Sequence, residues 1–88
     1  MLNMFTVVGR IASLSDDTIE LKVQDSVKDE NGVYQNFEIF IQVGENIMNN
    51  MKEYCKVGDL VGVKGQIKDN NKLVGEKVTF LSSRTNND

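Results

Sequence analysis

Histidine, proline and tryptophan are absent from this 88-residue chain, and cysteine occurs once, at Cys55. Without histidine, the Ser-His and Cys-His pairs of nucleophilic enzymes and the common zinc sites are excluded. One cysteine cannot form a disulfide within the chain, and a single free thiol is typical of a reducing, cytoplasmic setting. We therefore expect a protein that is not an enzyme and that binds no metal and no cofactor.

Long apolar runs and a basic amino-terminal segment are also missing, so the sequence predicts neither a membrane span nor a signal peptide. The composition, 40% hydrophobic and 26% charged, is that of an ordinary globular protein. We expect one domain over residues 1–82 and a short, disordered polar tail over residues 83–88. The net charge of −3 argues against indiscriminate phosphate binding, although ten Lys and Arg residues are enough for a locally basic groove.

Three strands are predicted in the first half of the chain. Residues 3–12 are apolar on both faces around Gly9, where we expect a bulge or a tight bend, and a polar turn follows at residues 13–17. Residues 18–24 alternate strictly between apolar and polar side chains. The sequence Asp-Glu-Asn-Gly at 29–32 predicts a hairpin turn into a third strand over residues 34–43.

The second half of the chain predicts one helix and two more strands. The helix spans residues 45–56, with Ile47, Met48, Met51, Tyr54 and Cys55 on its apolar face and Gly58 as a left-handed stop. Strands follow at residues 60–68 and 73–81, with Val74, Val78 and Phe80 expected to point inward. The order β-β-β-α-β-β predicts an all-β fold with one short helix, the five-stranded OB-fold barrel of oligonucleotide- and oligosaccharide-binding proteins.

Single strands bind to grooves that offer cations for phosphates and flat side chains for bases. Several cations alternate with apolar strand positions and so point outward, a pattern that solubility alone also produces. We expect phosphate contacts from Arg10, Lys22, Lys28, Lys64, Lys68 and Lys72, with Lys77 as a further outward cation. Tyr34 and Phe37 are the expected stacking residues, whereas Phe5, Tyr54 and Phe80 are expected in the core. Alternate residues of the third strand face opposite sides of the sheet. The exposed side therefore carries either a row of apolar residues or Phe40 as its one apolar residue.

Three segments resemble bacterial single-stranded-DNA-binding proteins: Leu2-Asn3 with Val8-Gly9-Arg10-Ile11, residues 45–67, and Val78 with Phe80-Leu81. The resemblance covers residues 2–81. It implies stacking positions at Val27, Phe37, Val43 and Lys72, of which only Phe37 is aromatic, so weaker binding is expected. The shortened hairpin at residues 69–72 and the missing acidic tail suggest a compact relative, similar also to primosomal replication protein N.

The resemblance also implies self-association through the first strand, with Met4, Thr6 and Val8 at the interface of a homodimer or homotetramer. The expected function is single-stranded DNA binding in replication, recombination, or the life of a mobile element or phage. The sequence does not distinguish RNA binding from DNA binding. The alternative is a protein-interaction module that docks on a replication or conjugation protein. Its surface would be an open sheet edge or the row Phe37, Ile39, Ile41 and Val43.

Overall fold

The computed structural model describes residues 3–83, which form five strands and one helix in the predicted order. Residues 84–88 of the predicted tail, and Leu2 of the resembling segment, lie outside the described residues. The elements are β1 (Met4–Ser15), β2 (Thr18–Lys28), β3 (Tyr34–Val43), α1 (Glu45–Tyr54), β4 (Leu60–Lys68), a 3₁₀ turn (Asp69–Asn71) and β5 (Lys72–Ser82).

The strands close into a barrel in the order β1-β2-β3-β5-β4, which confirms the predicted fold class. All neighbouring strands pair in antiparallel fashion except β3 and β5. These two form a parallel joint that consists of two residue pairs. β1 is long because it serves two partners. Its first half, Met4–Arg10, pairs with β4, and its second half, Arg10–Ser15, pairs with β2.

The core is aliphatic and lies inside the barrel. Burial of apolar surface is the main favourable term in folding, and here branched side chains from β1, β2, β3 and β4 supply most of it, with Leu73 and Val78 of β5 partly buried against them. Met48 and Met51 of α1 close one end of the barrel. The buried apolar side chains are Ile11, Ile19, Leu21, Ile41, Val43, Met48, Met51, Val61 and Val63.

Two glycines permit the tight approach of strands in this small barrel. A Cβ atom on Gly65 would overlap the carbonyl oxygen of Val74 on β5, and one on Gly9 would lie 2.7 Å from the carbonyl oxygen of Lys22. The bulge expected at Gly9 is absent there, since the register shift between β1 and β2 falls at residue 12. Gly9 is instead a point of close backbone contact.

Local boundaries differ from the predictions at two turns. β1 continues through Ser15, so the polar turn shrinks to Asp16 and Asp17, with Asp16 at φ 47°. α1 ends at Tyr54, two residues earlier than expected. Gly58 does adopt positive φ, 98°, but it lies in the following turn, where its amide donates to the Ile11 carbonyl oxygen.

Two residues predicted for the core are exposed. Tyr54, the last residue of α1, is 72% exposed and lines an open depression with Val78 and Phe80 of β5. Phe80 is 49% exposed at the end of β5, opposite Val61. Phe5 does pack against the core, as predicted. A register shift after Lys64 buries Gly75 and leaves Val74 only half-buried, opposite Gln66.

Candidate nucleic-acid interface

Six of the ten Lys and Arg residues stand directly opposite one another on neighbouring strands. All six are exposed. Like charges in this position destabilise a sheet, so the arrangement goes beyond what solubility requires. It concentrates positive charge where an anion can offset the repulsion. The three pairs are Arg10–Lys22, Lys64–Lys77 and Lys68–Lys72.

Charge is unevenly divided between the two halves of the barrel. β2 and β3 carry Lys22 and Lys28 against three carboxylates, Glu20, Asp25 and Glu38. β1, β4 and β5 carry five cations against one carboxylate, Glu76. We call the exposed side of these three strands the basic face; its cations are Arg10, Lys64, Lys68, Lys72 and Lys77. The protein is acidic overall but presents a locally basic surface, so its net negative charge does not exclude phosphate binding there.

Arg10 and Lys22 form the end of the cation array nearest β2. Arg10 Nη1 donates a hydrogen bond of 3.0 Å to the Gly58 carbonyl oxygen, which fixes the guanidinium against the turn before β4. Lys22 has Arg10 on one side and Glu38 on the other. Because a carboxylate faces it, Lys22 offers less net charge to a ligand than the lysines of β4 and β5.

Lys28 and Tyr34 pair next to the turn of the β2–β3 hairpin, on strands that are not part of the basic face. Lys28 Nζ lies 5.4 Å from the centre of the Tyr34 ring, within cation–π range, so one ring face is already occupied. The turn itself is held by the Asp29 carboxylate, which accepts hydrogen bonds from the Asn31 and Val33 amides at 2.8 and 3.0 Å. The Val33 bond contributes most to a lowered pKa of Asp29.

Phe37 lies on β3 opposite Val23 and is 45% exposed. It shares the inward parity of the apolar row, but Ile41 and Val43 in that row are buried and Ile39 packs against the core. The row therefore cannot serve as a docking surface, which leaves an open sheet edge as the surface for the alternative function. Val43, which the resemblance aligned with a stacking position, is buried inside the barrel and offers no surface to a base.

Five of the six aromatic side chains are at least 44% exposed, and all six belong to the described residues. Phe5 is the exception. Aromatic rings normally dominate the burial of small cores, so their position on the surface leaves π faces free for other flat groups. The exposed rings are Tyr34, Phe37, Phe40, Tyr54 and Phe80.

Phe40 shares a depression with Lys72, a cation of the basic face, and this arrangement was not predicted. It is 60% exposed and lines a depression of about 310 Å³ together with Lys72. Lys72 also lines a second depression, of about 460 Å³, which contains Asn3 and Lys68. An aromatic residue at an outward position, between polar Glu38 and Gln42, was the sequence signal for this feature.

Met4, Thr6 and Val8 lie on the exposed side of β1, with Met4 and Val8 each 49% exposed. Over Met4–Val8, β1 has residue pairs with β4 only, so within residues 3–83 its other edge has no paired strand. Thr6 stands opposite Lys64. The predicted oligomer interface and the basic face are therefore neighbours on one surface.

Among residues 3–83, no cluster of three or more His, Cys, Asp or Glu side chains is placed to hold a metal ion. No helix in that range is both long enough and apolar enough to cross a membrane.

The sequence matches no known family model and no curated protein. Solved structures, however, share its fold. The mitochondrial single-stranded DNA-binding protein Rim1 of S. cerevisiae is 24% identical, with a TM-score of 0.70 over 94% of this chain and 98% of Rim1. The Plasmodium falciparum SSB, solved in complex with ssDNA, is 20% identical, with a TM-score of 0.73 over 93% of this chain and 96% of its own.

A small single-stranded DNA-binding protein from Streptomyces coelicolor is 15% identical, with a TM-score of 0.65 over 88% of this chain and 90% of its own. At these identities the comparison shows a shared fold. It confirms the resemblance predicted from the sequence at the level of the barrel.

Proposed function

We propose that this chain is a non-enzymatic protein that binds single-stranded DNA. The observation that carries the proposal is the set of three like-charge cation pairs on the outside of the barrel. Each pair holds two positive charges side by side at a cost to the sheet, and a phosphate backbone removes that cost. The fold supports the proposal, because its structural neighbours are single-stranded DNA-binding proteins.

The lysines of β4 and β5 contact the phosphates in this proposal. Lys64 and Lys77 lie opposite each other, and Lys68 and Lys72 repeat the arrangement next to the hairpin. Arg10 and Lys22 extend the array across β1. Because the pairs lie along one surface, a flexible strand can follow them without a sequence-specific contact.

The β2–β3 hairpin supplies stacking surfaces in the same proposal. Phe37 presents a half-exposed ring, and Tyr34 presents the face that Lys28 does not cover. A stacked base contributes about 1–3 kcal/mol, so two platforms give modest affinity. Modest binding also agrees with the net charge of −3.

Self-association through β1 is the second part of the proposal. The edge of Met4–Val8 that β4 leaves unpaired lets two copies join as antiparallel strands, which would form a homodimer or homotetramer. The exposed Met4 and Val8 side chains support such a contact. A cytoplasmic protein of replication, recombination, or a mobile element or phage is the proposed setting, supported by the single free thiol of Cys55.

Fluorescence anisotropy of a labelled oligo-dT of about 35 nucleotides tests the proposal directly. With up to six cations on phosphates, log K falls against log salt with a slope of up to about −4 for single strands. We expect a micromolar or tighter Kd at low salt, weaker binding at moderate salt, and no competition from duplex of equal length. Affinity independent of salt, or none at low salt, would overturn the phosphate model. An oligo-rU of the same length shows whether RNA binds equally.

Phe37→Leu keeps an apolar side chain but removes the ring, so we expect at least about fivefold weaker binding. Tyr54→Leu is the matched control, because Tyr54 is an exposed aromatic residue at the end of α1, away from β2 and β3. Equal effects of the two substitutions would contradict the assignment of Phe37.

A further inference from the structure

The depression around Phe40 lies where two tight turns meet the end of β3. The β1–β2 turn contributes Asp17 and Thr18, and the β4–β5 hairpin contributes Asn71 and Lys72. Positive φ angles at Asp16, 47°, and Asn71, 59°, mark both turns. The walls therefore belong to short turns, and the exposed Phe40 side chain lines the same depression.

Hydrogen bonds hold the Asp17 wall in place. The Asp17 carbonyl oxygen accepts from the Val43 amide at 2.8 Å. Its carboxylate accepts from Gln42 Nε2 at 2.9 Å and from Thr18 Oγ1 at 3.0 Å, one bond to each oxygen. Because a carboxylate oxygen has two acceptor positions, each keeps capacity for a further donor.

The Gln42 amide is oriented by the same contact. Its Nε2 is directed to Asp17, so its Oε1 is left as an acceptor with no hydrogen-bond partner among residues 3–83. The Asp17–Gln42 side of the depression thus offers mainly acceptors. A ligand that fits must be flat, to stack on Phe40, and must present donors along one edge.

Guanine is the base with that donor pattern. Its Watson–Crick edge places N1–H next to the N2 amino group, so two adjacent donors can meet one carboxylate. Thymine offers a single N–H between two carbonyl oxygens, which would face acceptors here. Unstacked bases of single strands are commonly read in this way, by stacking together with hydrogen bonds on the Watson–Crick edge.

We propose that the depression lined by Phe40, Asp17 and Gln42 is a subsite for a guanine base of a single-stranded nucleic acid. The base stacks on Phe40, and its N1–H and N2–H groups donate to the Asp17 carboxylate. The inference rests on the proposed single-strand binding and adds a base preference to it.

The position of Lys72 explains how a negatively charged strand approaches a carboxylate. Lys72 lines both this depression and the neighbouring one that contains Lys68, so the flanking phosphates lie on the lysine side and the base edge lies on the Asp17 side. The carboxylate is ionised at neutral pH, because the hydrogen bonds from Gln42 and Thr18 lower the pKa of Asp17.

The test compares oligo-dT of about 20 nucleotides with the same oligomer carrying several isolated guanines, and with inosine at those positions. Inosine keeps N1–H and lacks the 2-amino group. We expect guanine to strengthen binding at least about fivefold over thymine, with inosine between them. This comparison uses the unmodified protein, so it does not depend on whether a variant folds.

Asp17→Asn is expected to abolish the guanine preference, whereas Glu53→Gln, a carboxylate substitution on α1, retains it. Phe40→Leu is expected to weaken binding of the guanine oligomer about fivefold or more. If oligo-dT binds and guanine gives no gain, or the gain survives Asp17→Asn, the subsite is refuted while the proposed function stands. If no oligomer binds at low salt, both are refuted.

Discussion

Removing the central cation pair should change affinity and stability in opposite directions. In Lys64→Gln/Lys77→Gln, two positive charges that face each other across β4 and β5 disappear, and each glutamine retains much of the side-chain length. Both charges are exposed. If the pair exists to bind anions, the variant loses phosphate contacts and is also relieved of repulsion.

The magnitudes follow from the geometry. Cross-strand charge pairs contribute about 0.2–1 kcal/mol, so a relief of about 0.5 kcal/mol raises the Tm of a domain this size by about 2–4 °C. At about 1 M salt the Debye length is about 3 Å and the gain should vanish. Losing two phosphate contacts makes the slope of log K against log salt shallower by about 1.4.

Thermal unfolding followed by circular dichroism and oligo-dT anisotropy measure the two effects on the same samples. Lys52→Gln/Lys56→Gln is the matched control, because both doubly substituted proteins go from a net charge of −3 to −5. Lys52 lies in the last turn of α1, where a cation is favourable, so the control should not gain stability. A variant that loses stability, or one that keeps its full salt slope, would refute the assignment of this pair.

Two further predictions concern the fold itself. Gly65→Ala should destabilise the protein severely or prevent folding, because the new methyl group overlaps the Val74 carbonyl oxygen. Gly62→Ala on the same strand, whose nearest contacts would be 3.7 and 3.8 Å, should fold with a Tm close to that of the parent, and equal losses in the two variants would contradict the barrel geometry. The pKa of Asp29 is lowered chiefly by the Val33 amide, so its contribution to stability is complete above the unfolded pKa and is lost as pH falls through the lower folded pKa. The Tm deficit of Asp29→Asn should therefore be present at neutral pH and shrink in strong acid; a deficit that is independent of pH would contradict this reasoning.

Local chemistry in the sequence was sufficient to predict most elements of the fold. The alternation of β2 and the turn around Gly32 depend on neighbouring residues only, and both were confirmed. The exposure of Tyr54 could not be predicted in this way. Helical spacing places it on the apolar face, but whether that face meets the sheet at the last residue depends on the path of the whole barrel.

The cation pairs show the same limit within the candidate site. Alternation correctly placed Lys64 and Lys68 on the outside of β4. Their partners depend on the register between β4 and β5, and that register shifts by one residue just after Lys64. Without the shift Lys77 would not face Lys64. A single sequence therefore indicates which residues are exposed, but the pairing of two strands determines which charges meet.

The parallel joint between β3 and β5 has a consequence for how the barrel assembles and opens. Gln42–Val74 and Val43–Gly75 are its two residue pairs, whereas the β2–β3 and β4–β5 hairpins are long ladders between adjacent strands. Hairpins close short loops and form early, so this joint must wait for both and is the first to separate in a partial opening. A nucleotide held between Phe40 and Lys72 would bridge the joint and slow amide hydrogen exchange along β5. Binding of single-stranded DNA would therefore also stabilise the closed barrel.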